Sequence, residues 1–142
     1  MIRTVQKKDI SDLCQICRDS LNYPECTEKI IENGISRLDG NREQVFVWEQ
    51  DDKVVGFIHV ELYGVIYFDL LSNILGLAVL ENYQKKGIGK ALLLAAENWA
   101  KEKGAKGVRI ISGISRINAH QFYEYMGYKS EKQNKRFLKE FN

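Results

Sequence analysis

The chain has 142 residues, of which 44% are apolar and 28% charged, with a formal net charge of +2. That length suits one ordinary domain with roughly 68–70% of its unfolded surface buried, and the composition excludes a disordered or fibrous chain. So small a charge excess excludes a strongly basic nucleic-acid face, no apolar run approaches the ~20 residues of a membrane span, and Met1-Ile2-Arg3-Thr4 lacks a signal-peptide core.

The expectation is therefore a single soluble domain over 1–142, cytoplasmic, with neither nucleic acid nor membrane as partner. Ile2 to Val5 reads as a short strand, and Asp9 stands where an N-cap would, ahead of Ile10, Leu13, Ile16 and Cys17 at helical spacing. Pro24 ends that helix, and Ile30, Ile31, Ile35 and Leu38 mark a second one running to the turn dipeptide Asp39-Gly40. From Gln44 the period changes to that of a hairpin: Val45 to Trp48, the turn Asp51-Asp52, then Lys53 to Tyr63. Strand alternation puts Val54, Gly56, Ile58, Val60 and Leu62 on one face and Phe57, His59 and Glu61 on the other.

Leu70 to Leu80 is apolar on both faces apart from Ser72 and Asn73, as in a doubly covered strand. After the turn from Glu81 to Gly87, the stripe Ile88, Leu92, Ala95, Ala96 and Trp99 predicts a helix over 87–103, closed by Gly104. Val108 to Ile111 is a strand, Ala119 to Met126 a helix ending at Gly127, and Phe137-Leu138 a final strand. The fold class is α/β, or α+β: a mixed sheet of six or seven strands, order β-α-α-β-β-β-α-β-α-β(-β), with helices on both faces.

Three cysteines include the pair Cys14/Cys17, but no second pair or His-x-x-x-His follows at zinc spacing, so free thiols and no metal are expected. The turn before the 87–103 helix is more informative. Gly87 and Gly89 remove side chains where a ligand needs close approach, and the first N–H groups of a helix lack intrahelical partners and attract anions. A dinucleotide fingerprint would require glycine where Leu92 stands, and a P-loop would require Ser or Thr where Ala91 follows Gly89-Lys90.

Gln84-x-x-Gly87-x-Gly89, preceded by Leu77-x-Val79, resembles the acetyl-coenzyme A signature of the GCN5-related N-acetyltransferase (GNAT) family. Asn118 to Tyr128 resembles that family's later motif, in which Asn and Ala precede an aromatic-Tyr pair and the helix closes on Gly-Tyr. The resemblance implies a GNAT-like sheet that splays between the strands 70–80 and 106–112, the pantetheine arm entering the gap against Leu77, Ala78 and Val79. It further implies that Gln84, Lys85, Lys86, Gly87, Ile88, Gly89 and Lys90 hold the pyrophosphate, mainly through backbone N–H groups. The Val79 N–H would polarise the thioester carbonyl. Tyr123, four residues before Gly127, stands at the family's general-acid position and also beside the cofactor; Asn118 binds the cofactor arm or caps its helix. Where many members carry a base six residues before the Val79 position, this chain has Asn73, so Glu61, with His59 on the same face, is the substitute.

The implied activity is transfer of acetyl from acetyl-CoA to a primary amine in a ternary complex. The endings Ala119-His120-x-Phe122-Tyr123-Glu124 and Arg136-Phe137-Leu138-Lys139 resemble small-amine members, so a small-molecule acceptor leads; peptide or protein amines and a non-catalytic acyl-CoA sensor are the alternatives. A homodimer is admitted, and the sequence fixes no oligomeric state.

Overall fold

The computed structural model describes residues 1–141. Residues Met1–Ile111 make one compact unit, and those from Ser112 onward make a second. The first unit runs β1 (Ile2–Thr4), α1 (Ile10–Asp19), α2 (Glu28–Arg37), β2 (Glu43–Gln50), β3 (Lys53–Tyr63), β4 (Leu71–Val79), α3 (Ile88–Glu102) and β5 (Val108–Ile110). Its five strands lie in sequence order, β1 to β4 antiparallel and β5 parallel to β4. The hairpin turn places Asp51 and Asp52 at φ 55° and 59°, a left-handed pair that a short polar side chain tolerates and that matches strand twist.

Two layers of helix sandwich this sheet. Leu13 and Ile16 of α1 pack with Val45, Val47, Val54, Phe57 and Ala78, and Ile31, Ile35 and Leu38 from and beside α2 close over that cluster. On the opposite face α3 buries Ile88, Leu92, Leu93, Ala96, Trp99 and Ala100. Leu92 and Leu93 are both 0% exposed, and each such burial contributes about 1.5–3 kcal/mol. The stripe expected from the sequence omitted Leu93 and included Ala95, which is only half-buried.

Irregular pairing shifts two positions. Trp48 pairs with Gly56 but Glu49 with Val54, so Val55 is an extra residue and Val54 turns to the α1 cluster instead of sharing the face of Ile58 and Val60. Asp9 holds the N-cap position of α1, as expected, but its side chain makes no cap hydrogen bond to the helix. Its carboxylate accepts the Gln6 N–H at 2.8 Å and a two-point contact from the Arg3 guanidinium, each bond 2.8 Å. Arg3 also reaches Glu49, tying β1 to β2 and to the start of α1.

In the second unit α4 (Ile117–Tyr125) begins two residues before the expected Ala119, with Arg116 as its N-cap. The expected strand at Phe137-Leu138 does not form, so among the described residues the sheet has five strands and not six or seven. Residues 129–141 carry no helix or strand, and Phe137 and Leu138 are exposed. Among the described residues no helix is long and apolar enough to cross a membrane.

Candidate active site

A bulge in β4 builds the first part of the site. β4 pairs with β3 along its length, but His59 faces Gly76 while Val60 faces Ile74, leaving Leu75 as the extra residue. β5 accompanies β4 only over Ser72 to Ile74. Beyond that point the two strands part. The Leu80 N–H donates to Val55 O, so by alternation Ala78 and Gly76 turn their N–H groups toward β3 while Leu77 and Val79 turn theirs toward the edge β5 has left. No strand pairs there among the described residues. Of the three neighbours expected to face a ligand, Leu77 and Val79 thus present open donors, whereas Ala78 packs toward α1.

The turn after β4 is fastened to this open edge. One short 3-10 turn covers Glu81–Tyr83, the Gln84 N–H donates to Glu81 O, and the Gln84 side-chain amide donates to Val79 O at 2.8 Å. The Gln84 side chain therefore holds the turn against the strand. Lys85 at φ 61° and Gly87 at φ 85° swing the chain into α3. A Cβ on Gly87 would meet no protein atom within 4 Å, so within the chain itself the glycine answers to the left-handed backbone.

The first intrahelical bond of α3 runs from the Ala91 N–H to Gly87 O, and no side chain caps the helix. The N–H groups of Ile88, Gly89 and Lys90 are left without intrahelical acceptors at the positive end of a 15-residue helix. Lys85 and Lys90 are exposed around this opening, and the Lys86 ammonium lies 5.7 Å from the Tyr83 ring centre. The arrangement suits an anion with backbone donors and positive charge together.

A polar rung crosses the sheet on the α1 side. Glu43 of β2 pairs in register with Glu61 of β3, Glu61 with Asn73 of β4, and Asn73 with Arg109 of β5. Like charges directly opposite each other are unfavourable. Here the two carboxylates separate: Glu43 bonds His59 Nε2 at 2.8 Å, and Glu61 accepts from the Asn73 side-chain amide at 3.2 Å. The Asn73 carbonyl oxygen in turn accepts from Arg109 at 3.1 Å, and the Arg109 guanidinium sits 4.7 Å from the Tyr63 ring centre. Asn73, Ile74, Leu75, Arg109 and Ile111 line a cleft of about 160 Å³ where β4 and β5 part.

His59 and Glu61 do share a face, but each is held by a different neighbour. Glu43, Asn73 as a bridge, and Arg109 were not singled out as partners by the sequence reading. Counting back from the Asp51-Asp52 turn sets Glu43 opposite Val60; only the extra residue at Val55 moves it to Glu61. Glycine follows the extra residue at both bulges, as Gly56 and Gly76, and an isolated strand glycine is the signal that could have located them.

In the second unit Asn118 lies in the first turn of α4 and is exposed, so it is not the cap. Tyr123 is half-buried between the rings of Phe122 and Tyr128, with centroids 5.6 and 6.2 Å away. The Tyr128 N–H donates to Tyr123 O, and Gly127 at φ 95° makes that return possible. Burial pushes the Tyr123 phenol above its usual range, against a smaller opposing effect of Arg116. His120 Nε2 bonds Gly113 O at 2.9 Å and braces the loop before the helix. Cys14, Cys17 and Cys26 are free, and burial pushes the Cys17 thiol up to about 12, which leaves it protonated and unreactive at neutral pH. Among the described residues no group of three or more His, Cys, Asp or Glu is placed to hold a metal.

Comparison with known proteins matches residues 10–128 to the acetyltransferase (GNAT) family. An uncharacterized N-acetyltransferase of Chlorobaculum tepidum is 28% identical over 128 residues, 90% of this chain and 74% of that protein. The aminoalkylphosphonate N-acetyltransferase of Salmonella typhimurium is 28% identical over 118 residues, 82% of this chain and 74% of its own length. Among solved structures, the aminoglycoside N-acetyltransferase AAC(6')-Iy in complex with CoA superposes with a TM-score of 0.84 at 17% identity, over 98% of this chain and 93% of that one, a likeness of fold. With the family match spanning most of its length, this chain belongs to the acetyltransferase (GNAT) family and is an N-acetyltransferase.

Proposed function

We propose that residues 1–142 act as one transferase domain that moves an acetyl group from acetyl-CoA to the primary amine of a small molecule. The observation that carries this reading is the uncapped start of α3, fastened by Gln84 to the strand whose Leu77 and Val79 donors face an open edge. The diphosphate of acetyl-CoA lies on the backbone N–H groups of residues 85–90, with Lys85, Lys86 and Lys90 adding charge. The pantetheine arm continues along the Leu77 and Val79 edge, and the thioester carbonyl takes its hydrogen bond from Val79 N–H, which strengthens as the oxygen becomes an oxyanion.

Glu61 is the base of this mechanism. Asn73 cannot take a proton, but its amide bonds the Glu61 carboxylate, so the basic group stands one strand over from the position many relatives use. The amine, once relieved of its proton by Glu61 directly or through water, attacks the thioester carbon; the C–N bond forms and the C–S bond breaks. Tyr123 gives its proton to the departing thiolate and regains one from the attacking nitrogen, which loses its surplus N–H as the amide forms; that role rests on its place in the 118–128 motif. By the same motif, Asn118 hydrogen-bonds the cofactor arm. A small acceptor is supported by the similarity to proteins named for aminoalkylphosphonate and aminoglycoside acetylation.

The test is CoA release on incubating acetyl-CoA with a panel of small amines. Glu61→Gln should lower kcat/KM by about 10²–10⁴ while CoA affinity holds, and His59→Gln should cost much less. The reverse ranking moves the base to His59, and CoA binding without turnover across the panel, peptides included, turns the reading to a non-catalytic sensor.

A further inference from the structure

The rung Glu43, Glu61, Asn73, Arg109 is charged at both ends, and its positive end is without a carboxylate. Among the described residues no Asp or Glu forms an ion pair with Arg109. Its partners are a neutral amide oxygen and an aromatic face, Asn73 at 3.1 Å and Tyr63 at 4.7 Å. Those two contacts fix the planar guanidinium while using one N–H bond of its fork, which leaves the remainder to meet another acceptor. The side chain is half-buried and lines the cleft of about 160 Å³ where β4 and β5 separate.

We propose that Arg109 is a specificity residue that binds an anionic group on the acceptor, so that the favoured substrate is a small amine bearing a carboxylate or phosphonate. This rests on the reading of the Glu61 face as the acceptor side. The charge pattern matches a zwitterion: the ammonium meets Glu61, the anion meets Arg109, and Asn73 between them holds both protein groups through its two amide atoms. A guanidinium fixed before binding loses little freedom on meeting an oxyanion, and charge-assisted bonds of this type are worth about 10- to 100-fold in discrimination. The cleft volume leaves room for a headgroup of a few heavy atoms.

The experiment compares β-alanine, 2-aminoethylphosphonate and propylamine as acceptors, measuring kcat/KM for each with the wild type, Arg109→Gln and Arg109→Lys. The readout is the ratio of an anionic amine to propylamine within one protein, which cancels any loss of folded enzyme. The wild-type ratio should be about 10- to 100-fold, fall to within a few-fold of unity in Arg109→Gln, and recover in part in Arg109→Lys. Whichever anionic amine shows the larger ratio identifies carboxylate or phosphonate as the group read. A wild-type ratio near unity, or one that Arg109→Gln leaves intact, overturns the inference while the transferase reading stands. If no amine turns over but 2-aminoethylphosphonate binds the wild type and not Arg109→Gln in calorimetry, the anion site stands and the transferase reading falls; absence of both overturns both.

Discussion

Replacing Gly87 by Asp and, separately, by Asn tests the phosphate turn with nearly identical shapes that differ in charge. Gly87 is exposed, sits at φ 85°, and has open space where a Cβ would go, so neither side chain meets a steric obstacle. The left-handed backbone costs a non-glycine residue roughly 1 kcal/mol, and less for Asn or Asp, whose short polar side chains visit that region most readily. Folding should therefore survive both changes. A carboxylate about 6 Å from a diphosphate in water-like surroundings is repelled by about 0.7 kcal/mol for each phosphate charge, hence about 1.4 kcal/mol for two charges. Gly87→Asp should thus bind CoA about tenfold more weakly than Gly87→Asn in calorimetry at low salt, and the gap should narrow as salt shortens the Debye length below ~10 Å. Equal affinities for the two variants would refute the placement of the diphosphate at this turn.

Two other perturbations address stability and proton transfer. Asp9 is 2% exposed, so Arg3→Ala strands a buried carboxylate and should cost about 2–4 kcal/mol in urea unfolding, below the full range for a buried pair because Arg3 is partly open to solvent. Arg3 and the Gln6 N–H outweigh desolvation and hold the Asp9 carboxyl below its usual value; the stabilisation is then present above pH ~4 and lost as pH falls, so the gap between wild type and Arg3→Ala should close toward pH 2. A gap constant with pH would remove the ion pair as the cause. Tyr123→Phe should lower turnover by about 10²–10⁴ with CoA affinity nearly unchanged. Because burial raises the phenol above its usual ~10, the wild-type pH profile should show no alkaline loss from this group below that value, and a Tyr123-dependent loss near pH 8 would contradict the assignment.

Much of this architecture was legible in the residues themselves. The stripe of α3 and the hairpin around Asp51-Asp52 each carry a period that a single packing satisfies, and the apolar run of β4 marks a strand lying inside the sheet. What escaped the reading depends on pairing across strands. Val54 was assigned the wrong face because a period of two cannot register the extra Val55, and the same slip hid the meeting of Glu43 with Glu61. Asn73 looked like a missing group because its neighbour across the strand was unknown; in place it holds Glu61. The expected last strand failed because an apolar pair such as Phe137-Leu138 says nothing of whether a neighbouring strand will pair with it.

The extra residue at Leu75 acts as a phase shifter along β4. Upstream of it, Asn73 shares parity with the charged rung; downstream, Leu77 and Val79 share parity with the donors of the open edge. Both sets occupy odd-numbered positions, yet they project to opposite sides of the sheet, because one uncounted residue lies between them. Were Leu75 paired as an ordinary strand residue, composition and motifs would stay intact while everything that follows inverted relative to everything before. Gly76 and Ala78, small enough to lie under α1, would trade places with Leu77 and Val79, which fit against α3. The spacing from Asn73 to Gln84 is for that reason a geometric quantity, counted in half-turns of the strand as much as in residues.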